Sequence, residues 1–234
     1  TSLANPTAPA SPYTFTGADA GRRTFSFNYA NAAKDVRVRM VSGATTACSS
    51  DNFAIRPPSF SLSSPDATNT GISGTPTIKA GTNFGLDAAS VNGYTGTALI
   101  NSNRLEAHAG AVQTGTLSGS FAPATLATGW ISKGTTFSYS EVGSFRFLPW
   151  GIYDDGSFVD VDRSKATPEC FIDNKVGTAV DPADPNVLDG NGKYGCYFGG
   201  TNTSGGTITS PYFGRFIPDN FELTGGTLVN RILL

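Results

Sequence analysis

The chain has 234 residues and a net charge of −2, with 38% apolar and only 15% charged residues. It has no basic cluster to form a nucleic-acid footprint and no run of about 20 apolar residues to cross a membrane as a helix. Its 16 Phe, 8 Tyr and 2 Trp supply too much apolar surface for a disordered chain.

The 28 Gly and 14 Pro, set among Ser, Thr and Asn between short aromatic or β-branched runs, predict an all-β protein with many turns. Low charge with abundant Thr, Ser and Asn fits an exported bacterial cell-surface protein. The first residues, T-S-L-A-N-P, lack Met and are expected to belong to a processed piece of a longer chain.

Residues 1–17 are rich in Pro and Thr and read as an extended lead-in. Phe25, Phe27 and Tyr29 alternate, and so do Val36, Val38 and Met40, predicting a hairpin turned at N-A-A-K-D with Arg37 and Arg39 outward. Phe53 and Ile55 alternate before Pro57-Pro58, which forbids a ladder interior and marks an edge strand or connector. Ile78 and then Phe84, Leu86 and Ala88 predict strands, Asn92-Gly93 a hairpin turn, and Leu105–Ala109 and Leu117–Phe121 weaker strands.

Phe137–Tyr153, F-S-Y-S-E-V-G-S-F-R-F-L-P-W-G-I-Y, is the most aromatic stretch and predicts the central strand pair. Its alternation slips at Glu141–Gly143, where a β-bulge is expected. Beyond it, residues 154–200 hold most of the acid, with one short strand expected at Phe158–Val161. The spacing favours a Cys170–Cys196 disulfide, closing a loop worth roughly 3 kcal/mol, and leaves Cys48 expected to be free or to have lost a partner upstream of Thr1. Tyr212–Leu223 predicts a last strand broken by Pro218, and T-L-V-N-R-I-L-L at the C-terminus is expected to pair as a strand within the chain or with a neighbour. Asp51-Asn52-Phe53 and Asp219-Asn220-Phe221 echo each other. They divide the chain into the end of a preceding module or a hairpin (1–50), a main domain (51–218) and a C-terminal strand or following module (219–234).

Four segments together resemble the large β domain of MshQ-like proteins, biogenesis proteins of the mannose-sensitive haemagglutinin type IV pilus. They are C-S-S-D-N-F-A-I-R-P at Cys48–Pro57, Y-S-E-V-G-S-F at Tyr139–Phe145, G-K-Y-G-C at Gly192–Cys196, and G-R-F-I-P-D-N-F at Gly214–Phe221. The last departs from the family pattern at Ile217 and Asn220, where that pattern has an aromatic and a His. The resemblance implies a domain of unknown function within long exported surface proteins, and it brings no catalytic residues.

Several side chains are candidates for chemistry. His108 lies two residues from Glu106 and so shares its strand face, but no nucleophile accompanies them. Asp154, Asp155, Asp160 and Asp162, with Asp181, Asp184, Asp189 and Asn191, offer the oxygens a Ca²⁺ ion takes, and solvated turns explain the same residues. Trp150 and Tyr153, with Tyr194 and Tyr197, are the candidate aromatic face for a glycan. A glycosidase would pair Glu141 or Glu169 with an acid in the loop.

The expected fold is therefore an antiparallel, immunoglobulin-like β-sandwich with a long disulfide-stapled loop. The expected function is that of a non-enzymatic structural or adhesin-like module. It would contact other surface or pilus proteins, or copies of itself, through strand edges. A carbohydrate-binding module using Trp150–Tyr153 and the acidic loop, with Ca²⁺, is the alternative, and a glycoside-active enzyme the third.

Overall fold

The computed structural model describes residues 13–25, 27–108, 111, 113–172, 186–199 and 210–219. After a 3-10 turn at Gly17–Asp19 come strands β1 (Ala33–Val36), β2 (Arg39–Ser42), β3 (Thr45–Cys48), β4 (Phe53–Ile55) and β5 (Ser61–Ser63). They are followed by β6 (Ile78–Lys79), β7 (Phe84–Ala89), β8 (Leu99–Ile100), β9 (Leu105–His108) and β10 (Leu117–Ser118). The aromatic stretch and its approach form β11 (Ile131–Tyr139), β12 (Gly143–Phe147) and β13 (Ile152–Asp154). A 3-10 turn at Ser157–Val159 runs into the short helix α1 (Asp160–Arg163), then β14 (Phe198–Gly199) and β15 (Tyr212–Ile217).

The protein is mostly β, as expected. Two four-stranded sheets, ordered β10-β11-β7-β5 and β6-β15-β12-β9, carry the main core. A three-stranded sheet (β14-β13-β8) and two pairs (β1-β4 and β2-β3) complete the described strands. Not every pair is antiparallel: β15 runs parallel to β6, with Phe216 opposite Ile78.

β11, β12 and β13 follow one another in sequence but lie in three different sheets. The expected central strand pair is therefore a chain of junctions. Residues 140–142 carry the backbone from the first four-stranded sheet to the second. At the expected bulge, Glu141–Gly143, the chain turns this corner, and from Gly143 to Phe145 the ladder of β12 with β15 is irregular, Gly143 facing Phe216 but Phe145 facing Phe213. A bulge does occur earlier in β11, where Gly134 faces Leu86 but Phe137 faces Phe84. The extra residue flips the parity, so Ser132 and Gly134 face inward before it and Phe137 and Tyr139 after it. Gly134 is required there, because an added Cβ would stand 2.4 Å from the Phe137 ring and 2.5 Å from the Ser120 carbonyl oxygen.

Across the corner the two sheets interlock through rings. Tyr139 and Phe145 lie 4.4 Å apart, and Phe145 also meets Phe84, Phe147, Phe213 and Phe216 within 6.4 Å. All six rings are buried. Such aromatic pairs add roughly 0.5–1.5 kcal/mol each beyond the area they bury.

Other expectations shift. Phe25, Phe27 and Tyr29 form no strand; Tyr13 instead packs edge-on to Phe15 and Phe25. The N-terminal hairpin is β2–β3, turned at Gly43-Ala44 with Gly43 at φ 58°, the residue a two-residue type II′ loop needs first. Asn92-Gly93 makes a turn but no hairpin, and the Asn92 carbonyl accepts the Ala32 N–H at 2.7 Å. Phe158–Val161 is helical rather than extended, burying Phe158 and Val159 on one side. β1 pairs with β4 across the expected boundary at 50/51, so Ala33–Val36 join the main body. β15 ends before Pro218 as expected, while the second half of the Asp-Asn-Phe echo and the C-terminal T-L-V-N-R-I-L-L lie outside the described residues.

Phe145→Ala should remove about 3–5 kcal/mol of stability, whereas Phe27→Ala, at an exposed ring, should change it by less than about 0.5 kcal/mol. Urea unfolding followed by near-UV circular dichroism measures both, and equal losses would contradict the packing described.

Candidate functional site

The acidic excursion begins where β13 delivers Asp154 to the interior, fully buried. Its Oδ2 accepts the Tyr94 hydroxyl at 2.7 Å and its Oδ1 the Gly156 N–H at 2.9 Å. Gly96 leaves room for the pair, since an added Cβ would stand 2.6 Å from both Asp154 Oδ2 and Tyr94 Oη. Burial is the main cause that pushes the Asp154 carboxyl above the ordinary carboxylate range, against the pull of the Tyr94 and Gly156 bonds. The Tyr94 hydroxyl is pushed up too, first by burial and then by the Asp154 charge.

The other three predicted calcium ligands point elsewhere. Asp155 caps the Ser157 N–H at 3.0 Å, and Asp160 pairs with Arg163 at 3.1 Å. Asp162 turns the opposite way and accepts the Ala54 N–H of β4 with both oxygens at 3.1 Å. Asp189 closes its own turn on the Asn191 and Lys193 N–H groups. Asp181 and Asp184 lie outside the described residues. Among the described residues no group of three or more His, Cys, Asp or Glu side chains is placed to hold a metal ion.

The predicted aromatic face does not form as expected. Trp150 is only 5% exposed, held at φ 64° in the turn closed by the Gly151 N–H on the Leu148 carbonyl. It therefore offers no ring face to solvent. Tyr153 is half-buried beside β14, opposite Gly199. The exposed ring of this region is Tyr194, at 49%.

Tyr194 lines a cleft of about 520 Å³. One wall is β4 with Arg56-Pro57-Pro58, the floor is Val159 and Asp162, and the other wall is Glu169-Cys170 with Asn186 and Gly192–Tyr194. Pro57-Pro58 ends the strand as the sequence predicts, and that exit turns Arg56 into the cleft rim. The Arg56 guanidinium lies 5.2 Å from the Tyr194 ring centre and 5.7 Å from that of Phe198, and one nitrogen reaches Asn186 Oδ1 at 3.3 Å. Lys165 braces the rim, bonding Asp51, Glu169 and the Asn52 carbonyl at 2.6–2.7 Å.

The Cys170–Cys196 disulfide is present, as expected, and ties the outer wall to the core. Beside it the Phe171 N–H bonds the Tyr194 carbonyl at 2.9 Å and the Cys196 N–H bonds the Phe171 carbonyl at 3.0 Å. Burial is the first cause that raises the Asp162 carboxyl, with the Glu169 charge adding to it and the Ala54 bond opposing. Of the two glutamates named for a glycosidase, Glu169 lines this cleft with Asp162. Glu141 sits at the corner between sheets and accepts the Val142 N–H and Gln113 Nε2, which hold its carboxyl below the ordinary range.

The remaining candidates lie apart. His108 stacks on Tyr212 at 3.6 Å, while Glu106 turns to Arg146, so the two do not meet as base and orienter. Cys48 is an exposed free thiol on β3. Arg56 and Asn186 were not singled out by sequence; the Pro57-Pro58 exit was the available signal for the first, and nothing marked the second.

No protein-family model matches the chain, and neither a curated protein nor a solved structure shows significant similarity to it.

Asp154 gives a pH test. Between its unfolded value near 3.9 and its higher folded value, the native state binds more protons than the unfolded state, so this residue lowers stability as pH rises. Asp154→Asn removes that slope and can keep both bonds, its amide donating to Tyr94 Oη. Urea midpoints at pH 4 and pH 7 should show the variant gaining stability relative to the parent as pH rises. A constant or shrinking difference would contradict the buried, proton-favouring site.

Proposed function

We propose that this chain is a non-enzymatic structural module of an adhesin-like, exported bacterial surface or pilus-associated protein, built as a β-sandwich that engages neighbours through strand edges. The observation that carries the reading is the β2–β3 hairpin. Among the described residues it forms a sheet of its own, and all eight of its strand residues are exposed. Met40 is 60% and Val41 59% exposed, leaving apolar side chains in water on both faces.

A lone two-stranded ribbon is marginal in water, and its unpaired N–H and C=O groups are a template for another strand. Among the described residues this one is anchored at its base, where Val38 and Ser49 exchange hydrogen bonds and Arg37 reaches the Ser49 and Ser50 carbonyls. The strand and its approach bear Arg37 and Arg39 and no acid, so two hairpins repel. A hairpin added to the sheet edge of a second copy makes a head-to-tail contact, which extends into a fibre wherever its rotation does not close a ring. The likeness to MshQ-like pilus biogenesis proteins supports the same reading.

Cys48, opposite Arg39 on the hairpin, allows a direct test. Labelling it with a maleimide photo-crosslinker and irradiating the purified chain across a concentration series should give a covalent dimer and higher ladder. Met40→Lys with Val41→Lys should reduce that yield at least tenfold. A yield of monomer alone at every concentration would overturn the proposal.

A further inference from the structure

We propose that the cleft between Arg56-Pro57-Pro58 and the disulfide-anchored wall is a binding site for a neutral saccharide of one or two pyranose units. This is a different surface from the β2–β3 hairpin, so either proposal can fail without the other.

The size is suitable, since small-molecule sites run on the order of 300–1,000 Å³. The lining carries two charges of each sign, Arg56 and Lys193 with Asp162 and Glu169, which favours neither an anion nor a cation. What the lining does offer is acceptors and donors side by side with apolar surface. Asp162 and Glu169 accept, Lys193 donates, and the Tyr194 hydroxyl does both. Each sugar hydroxyl likewise donates and accepts, and each pyranose presents a C–H face. Phe53, Pro58 and the half-exposed Tyr194 supply the matching apolar surface.

Asp162 is the polar anchor. It is only 9% exposed and lines the cleft floor, yet its two oxygens share a single donor, the Ala54 N–H. A carboxylate has about four acceptor positions, so most of its capacity is unused by the chain. A buried polar group in that condition is costly unless a partner arrives, and a vicinal diol delivers two donors at the spacing of a carboxylate. The geometry is also held in advance: β4 fixes Asp162 from below, and Cys170–Cys196 with the Phe171 bridge fixes the Tyr194 wall. Such preorganisation lowers the ordering cost of binding.

The test is saturation-transfer NMR on the full chain with a panel of neutral methyl pyranosides and disaccharides, a hexuronate, an amino sugar, and EDTA throughout. The proposal expects saturation of at least one neutral member, a loss of at least tenfold in affinity with Tyr194→Ala, and a comparable loss with Asp162→Asn. Tyr194 is half-exposed, so its truncation leaves the thermal melt of the parent in place and separates binding from folding. No signal from the neutral panel overturns the proposal. So does a response confined to the charged sugars, or neutral binding that both variants retain.

Discussion

The packing of Tyr139 against Phe145 is the contact on which the rest of the architecture depends. These two rings stand on either side of the corner at residues 140–142, one in each four-stranded sheet, at a separation of 4.4 Å. Holding them together fixes how the chain leaves the first sheet and enters the second. It also sets the register in which Phe84, Phe213 and Phe216 can fill the space around Phe145. Interiors pack at crystal-like density, so a shift of the corner would displace every ring in the cluster. The bulge in β11 serves this contact, because without the parity change at Gly134–Phe137 the Tyr139 ring would face away from Phe145.

The same run goes on to place the acidic excursion. β12 hands over at Trp150 to β13, which carries Asp154 into the interior against Tyr94. The two sides of that hydrogen bond come from positions 60 residues apart. From there the 3-10 turn and α1 bring Asp162 back under β4, forming the cleft floor. The frame is thus apolar and aromatic at its centre, and polar bonds at its margin aim the loops. The proposed binding surfaces both lie at that margin, where the aromatic frame no longer dictates the side chains.

Much of this was legible in the sequence, and the limits have physical causes. Alternating Phe and Tyr at 137, 139, 145 and 147 identified core strands because a two-residue period is a direct imprint of a half-buried strand. It could not reveal that the strands serve different sheets, since a strand alternates the same way whichever partner it has. The Cys170–Cys196 pair and the chain break at Pro57-Pro58 were readable from covalent and backbone constraints alone. The fates of Asp154, Asp155, Asp160 and Asp162 were not. Their spacing suggested one shared site, but each is claimed by a different partner, two of them (Tyr94 and Ala54) distant in sequence. Trp150 misled for a related reason, since an aromatic beside a turn looks exposed until its backbone conformation and its packing are known.

Native-state hydrogen exchange by NMR tests the central claim, that one aromatic core locks β11, β12 and β13 into a single unit while β2–β3 stands outside it. The account predicts that core amides of the three strands exchange with one common free energy, equal to that of global unfolding. Amides of β2 and β3 in the dilute chain should exchange at a far lower one. Separate opening of the β6-β15-β12-β9 sheet from the β10-β11-β7-β5 sheet, or a hairpin protected as strongly as the core in the monomer, would contradict it.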